Sequence, residues 1–185
     1  MVDLIITILF SVVSGNEVRI GTFRPLRAVP LKAAELAVVG LAVGMVASVS
    51  CRRLDVVLIT LSLAFVLLLD VDHIPSFFGY AQPIRPAHSF TYLATIVVAL
   101  FFAVRNRPEV ELIAIASFLG HLSADSGIFA PFAPFSFSYM SLDGYKIPLV
   151  IGSVSFALAA GYVKRRNSSP LRLHVQSSAK IPPTS

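Results

Sequence analysis

Cysteine is nearly absent from this chain: Cys51 is the only one in 185 residues, so no internal disulfide can form. Tryptophan is missing altogether, and Phe (14) and Tyr (5) must supply any interfacial aromatic belt. Charge is scarce as well, at 14% of residues, where a soluble domain carries about a quarter. That scarcity goes with 56% hydrophobic residues and a mean hydropathy of +0.80. Long apolar runs alternate with short polar clusters, which is the pattern of a chain whose solvent is mostly lipid. The net charge is +5, with a pI near 9.7. In a soluble protein that balance would suggest nucleic acid. Here the basic residues stand at the ends of apolar runs, where they set orientation, so no nucleic-acid partner is expected. Cys51 stands beside Arg52 and Arg53 at such an end, as a small helix-end residue or a site open to acylation.

What is present predicts an all-α fold: a polytopic transmembrane bundle of about five spans after a short apolar N-terminal helix. Leu4 to Val13 is apolar but only ten residues long, against about 20 for a span. No cleavage-site pattern follows it, so it reads as a short interfacial or re-entrant helix, with a spanning helix as the alternative. Together with a polar connector in which Pro25 and Pro30 are expected to break any helix, it makes up residues 1–30. The bundle is expected over residues 31–163. Its first span, Leu31 to Ser50, has Gly40 and Gly44 four apart, a spacing that lets helices approach closely. Glu35 is expected in its first turn, where a carboxylate suits the helix dipole. The other spans are Leu54 to Asp70, Phe90 to Val104, Val110 to about Ser126, and Ile147 to Val163, the last stopped by Lys164, Arg165 and Arg166. Residues 164–185 form a basic, Ser/Pro-rich tail with the composition of disorder.

Threading these spans alternately through a bilayer leaves nine Lys and Arg residues on one side and six on the other. The richer side is expected to be cytoplasmic in a multi-pass protein of the cell membrane. The same threading gathers three polar clusters at the opposite face: Asp70-Val71-Asp72-His73, Arg85-Pro86-Ala87-His88-Ser89, and His121-Leu122-Ser123-Ala124-Asp125. His121 and Asp125 are four residues apart and share a helix face. Asp70 and Asp72 flank one residue at a helix end, and two carboxylates that close cannot both stay ionised at low dielectric without a cation. Ionisable groups at membrane depth cost about 2.5–3.5 kcal/mol each, a cost that enclosing a divalent metal reduces. Imidazole and carboxylate are ligands that zinc accepts. The candidate metal ligands are Asp70, Asp72, His73, His88, His121 and Asp125. His174 lies in the tail and is excluded. Gly127 to Ser138, rich in Pro and Phe, suits a membrane-interface loop that either lids this site or anchors the chain.

The ordered set of motifs resembles the YdjM-type membrane-bound metal-dependent hydrolases. Asp70-Val71-Asp72-His73 is similar to their D-x-D-H element. Arg85-Pro86-Ala87-His88-Ser89 is similar to their R-rich H-S element. Gly120-His121-Leu122-Ser123-Ala124-Asp125, followed by Pro131-Phe132 and Pro134-Phe135, is similar to their H-x-x-x-D and Pro-Phe stretch. The resemblance covers about Val56 to Phe137. Two of the usual His positions are missing: the N-terminal frame Val2 to Ile8 has no His, and Ile84 stands where the first His of the second element would be.

The resemblance implies hydrolysis assisted by a divalent metal, zinc first. In that reading one carboxylate, Asp72 or Asp125, acts as general base on water and Arg85 holds an anionic group such as phosphate. A membrane-face site implies an amphiphilic, lipid-linked or phosphoester substrate. Ser89 is either a minor site residue or a helix cap. Two other classes stand beside this one. One is a phosphatase resembling the PAP2 lipid phosphatases, echoed by Arg85-Pro86 and His121-x-x-x-Asp125. The other is a non-enzymatic metal or proton carrier, or a scaffold whose polar cluster only ties helices together.

Overall fold

The computed structural model describes residues 25–73, 86–125 and 128–168. Among them the chain is mostly helical and all-α, with five helices: α1 Pro25–Cys51, α2 Val56–Leu69, α3 Phe90–Ala103, α4 Pro108–Ala124 and α5 Lys146–Asn167. Each corresponds to one expected span. A two-residue antiparallel pair, β1 Ile128–Phe129 with β2 Met140–Ser141, is the small exception. The short N-terminal apolar segment and most of the basic tail lie outside the described residues.

Helix ends follow from local chemistry. Arg52 ends α1 with φ 58, the left-handed conformation that closes many helices. Asp55 caps α2 by accepting a hydrogen bond from the Leu58 N–H at 3.1 Å. Asn106, at φ 74, turns the chain between α3 and α4, and Asn tolerates that conformation better than most residues. Pro108 opens α4 at a position where its missing N–H costs nothing, and Glu109 and Glu111 follow in the first turn.

Three expectations are corrected. Pro25 and Pro30 do not break the chain before the first span: α1 begins at Pro25 and runs 27 residues, through Pro30. A proline at the first helical position is favoured, and a second one in the next turn removes a single bond near the helix end. Glu35 is consequently well inside α1, on an exposed face, and not in its first turn. Lys164, Arg165 and Arg166 end the apolar stretch but not the helix; they form the last turn of α5, where cations complement the dipole.

Small residues set the packing. At Gly44 an added Cβ would come within 2.5 Å of the Ile59 Cα, and at Gly40 within 3.0 Å of the Leu63 Cα, so α1 and α2 meet backbone to backbone. A Cβ at Gly161 would collide with the Ala47 carbonyl, which brings α5 equally close to α1. The Cys51 thiol donates to the Gly161 carbonyl at 3.2 Å across that contact. Between α2 and α4 the hydroxyls of Ser62 and Ser117 bond at 3.0 Å, and Ser153 of α5 donates to the Ala116 carbonyl at 2.8 Å. Leu58, Val66, Ile113, Ala116 and Ala160 fill the main core with no more than traces of exposure. A second cluster, Leu69, Phe118, Leu122, Phe129, Leu142 and Leu149, sits at the end where α2 and α4 finish. α3 has no fully buried residue and rests chiefly on α4.

Two segments, Ala34–Cys51 and Asp143–Asn167, are long and apolar enough to cross a membrane, while α2 and α3 are apolar but shorter.

Candidate metal centre

Three helix ends converge on one point. Asp70 caps the C-terminus of α2, its backbone N–H returning to the Leu67 and Leu68 carbonyls, and a 3-10 turn, Asp70–His73, follows. His88 closes another 3-10 turn, Pro86–His88. Ser89 then fixes the start of α3: its hydroxyl donates to the Pro86 carbonyl at 2.8 Å and accepts from the Tyr92 N–H at 3.1 Å. The capping role foreseen for Ser89 is the one it fills. His121 lies in the last turn of α4, and Asp125 caps that helix through its N–H to the His121 carbonyl.

Side chains from these separate stretches meet. The Nε2 atoms of His88 and His121 are 2.9 Å apart, with ring centroids at 4.9 Å. Asp70 Oδ1 lies 3.5 Å from His121 Nε2, and Asp125 Oδ2 lies 3.5 Å from His88 Nε2. One donor atom from each of Asp70, His88 and His121 falls within 4.8 Å of the other two. Both imidazoles are buried, at 1% and 2% exposure, and Asp125 is nearly so.

This geometry restricts the chemistry. Two imidazole nitrogens cannot face each other at 2.9 Å with both lone pairs bare; either one carries the proton or a cation stands between them. Two ligand bonds of about 2.0–2.1 Å put their donor atoms roughly 2.9 Å apart at a right angle and roughly 3.4 Å apart at the tetrahedral angle. The N···N distance of 2.9 Å and the 3.5 Å from His121 Nε2 to Asp70 Oδ1 lie close to those edges. With all three donor atoms within 4.8 Å, Asp70, His88 and His121 could hold a metal ion, and Asp125 flanks the group.

Of the sequence-predicted site residues, Asp70, His88, His121 and Asp125 are brought together. Asp72 and His73 share the 3-10 turn of Asp70 by backbone. Their side chains, like the whole of Arg85, fall outside the described residues.

At the opposite end of the bundle stands a polar group that the sequence reading did not single out. Lys164 Nζ donates to Asp55 Oδ1 at 2.7 Å, with Arg53 at 3.9 Å from the other carboxylate oxygen. The Asp55 N–H donates to the Ser48 hydroxyl at 3.1 Å, which itself donates to the Gly44 carbonyl. Burial pushes the Asp55 carboxyl up, but the Lys164 hydrogen bond, the Leu58 N–H and the charges of Lys164 and Arg53 outweigh it and hold the group below its ordinary value. An Asp just before an apolar run is a readable cap signal. Its partner 109 residues away is not.

No family model, curated protein or solved structure matches this chain.

Proposed function

We propose that this chain is a multi-pass protein of the cell membrane that hydrolyses a phosphoester or lipid-linked substrate with the help of a bound divalent metal, zinc first. The observation that carries the reading is the meeting of Asp70, His88 and His121 within 4.8 Å at the ends of three different helices. Such a buried set of imidazoles and a carboxylate is costly in an apolar bundle unless an ion or a proton joins them. The membrane part is supported by two helices of spanning length and by bare apolar faces elsewhere. Val98, Phe101 and Phe102 of α3 and Ile147 and Ile151 of α5 are all exposed.

In this reading Asp70, His88 and His121 would hold the metal, which would supply Lewis acidity toward a phosphoryl or carbonyl oxygen. Asp125 would serve as general base, taking the proton from the attacking water and returning it to the leaving alcohol as the ester bond breaks. Arg85 binds an anionic head group, and Asp72 and His73 complete the ligand set, as the YdjM-type resemblance implies. Zinc suits a site of nitrogen and oxygen donors.

The test is a turnover assay. Protein reconstituted in liposomes and loaded with zinc is given a panel of soluble phosphoesters and lipid-linked phosphates. Asp125→Asn is expected to lower turnover by about 10²–10⁴-fold, the usual worth of a general base, while the protein keeps its metal. Zinc-loaded protein that hydrolyses nothing on the panel, or that moves zinc across the bilayer without turnover, would replace the hydrolase with a carrier.

A further inference from the structure

The segment after the metal centre is built inside out. From residue 126 to residue 142 there is no charged side chain. Within it both alanines are hidden: Ala130 and Ala133 are buried at 4% and 1%, and Pro131 is buried with them. The aromatic rings of residues 130–139 are bare, although Phe129 and Leu142 on either side are buried: Phe132, Phe135, Phe137 and Tyr139 are all about half exposed or more, and Phe135 reaches 84%. A water-facing loop has the opposite distribution, and a contiguous aromatic patch of this kind marks a contact surface.

The patch is tied to the site. The Phe90 N–H donates to the Pro131 carbonyl at 2.8 Å, and the Phe90 ring meets Phe129 at 6.0 Å and Phe118 at 5.8 Å. Phe90 is two residues from His88. Further along the chain Tyr145, and Ile147 and Ile151 of α5, are exposed as well.

We infer that residues 130–139 are an aromatic shelf seated in the headgroup layer of the leaflet on the metal-centre side, so that the site takes its substrate from lipid and not from water. This rests on the membrane reading above and names the surface that serves its site. Three observations favour lipid over a protein partner. The shelf stands at the end of a bundle of apolar helices whose α3 and α5 also carry exposed apolar side chains, where the bilayer itself would lie. Its rings include Tyr139, whose hydroxyl-tipped form suits the interface. Its backbone is irregular, with Ser136 N–H on the Phe132 carbonyl and Ser138 N–H on the Ser136 hydroxyl. Such backbone is tolerated at headgroup level and not in the hydrocarbon core.

The absence of tryptophan makes the test direct. Phe135→Trp, at a position too exposed to disturb folding, and Phe102→Trp, on the outer face of α3, are each reconstituted in phosphatidylcholine vesicles. Emission is quenched with lipids brominated at different acyl depths and with aqueous iodide. Phe135→Trp is expected to emit blue-shifted light. The shallowest brominated lipid should quench it at least twofold more than the deepest, with iodide weak. If Phe102→Trp is quenched by brominated lipid but Phe135→Trp only by iodide, the shelf is wrong while the membrane reading survives. If neither responds to brominated lipid, both fail. Blue-shifted Phe135→Trp emission that neither quencher reaches would mean a second copy or another protein covers the patch, and would also overturn the inference.

Discussion

Replacing His121 with alanine is expected to remove stoichiometric zinc from the purified protein. His121 is central to the cluster, with Nε2 at 2.9 Å from His88 and 3.5 Å from Asp70. Its loss takes one ligand and unseats the contact that orients another. Changes in groups that merely support a ligand cost about 10–100-fold in metal affinity, so loss of the ligand itself should exceed that. Elemental analysis after dialysis against a weak chelator gives the readout, with wild type retaining about one ion per chain. His121 is buried, and alanine leaves a hole beside Leu122 and Phe118. His121→Gln keeps most of the volume and offers a poorer ligand, so it should remain helical by circular dichroism while losing zinc. Wild-type protein that carries no metal and keeps its melting temperature under chelation would reduce the cluster to a hydrogen-bonded tie between helices.

The second large effect is at the other end of the bundle. Asp55→Ala is expected to destabilise the protein by about 3–5 kcal/mol, the cost of breaking a buried ion pair from one side. One residue there joins three helices. It caps α2 through Leu58, reaches α1 through Ser48, and accepts from Lys164 of α5. Asp55→Asn keeps an acceptor for the Leu58 N–H and should recover roughly 1 kcal/mol of that loss, the usual worth of an N-cap. The pH dependence has a definite sign. The folded carboxyl sits below its ordinary value of 3.8, so its contribution is complete above that pH and disappears as the pH falls below it through the lowered value. Thermal unfolding in detergent should therefore show wild type losing its advantage over Asp55→Ala in that acid window. An equal gap between the two proteins at pH 7 and at pH 2 would contradict the pairing.

The helices and half of the site were legible in the sequence for simple reasons. Apolar run lengths mark α1 to α5, and alternate threading of those runs is enough to bring Asp70, His88 and His121 to one end. The i, i+4 spacing puts His121 and Asp125 on one helix face whatever the rest of the chain does. What was not legible depends on atoms meeting across long separations. Nothing in the sequence says that the two Nε2 atoms face each other, because that follows from the close approach of α2, α3 and α4 and the rotamers it allows. The Asp55 to Lys164 pair is hidden for the same reason. Proline as a helix breaker predicts too late a start for α1, because prolines near a helix N-terminus are compatible with the helix. The β1–β2 pair, two residues to a strand, is too short to leave a periodic signal.

Zinc-edge X-ray absorption on the purified, detergent-solubilised protein tests most directly whether these distant stretches close around one ion. Imidazole nitrogens from His73, His88 and His121 together with carboxylate oxygens, at about 2.0–2.2 Å, are expected, with the imidazole signal cut by about a third in His88→Ala. A shell of solvent oxygens alone, a sulfur contribution from Cys51, or no bound metal at all would contradict the metal centre.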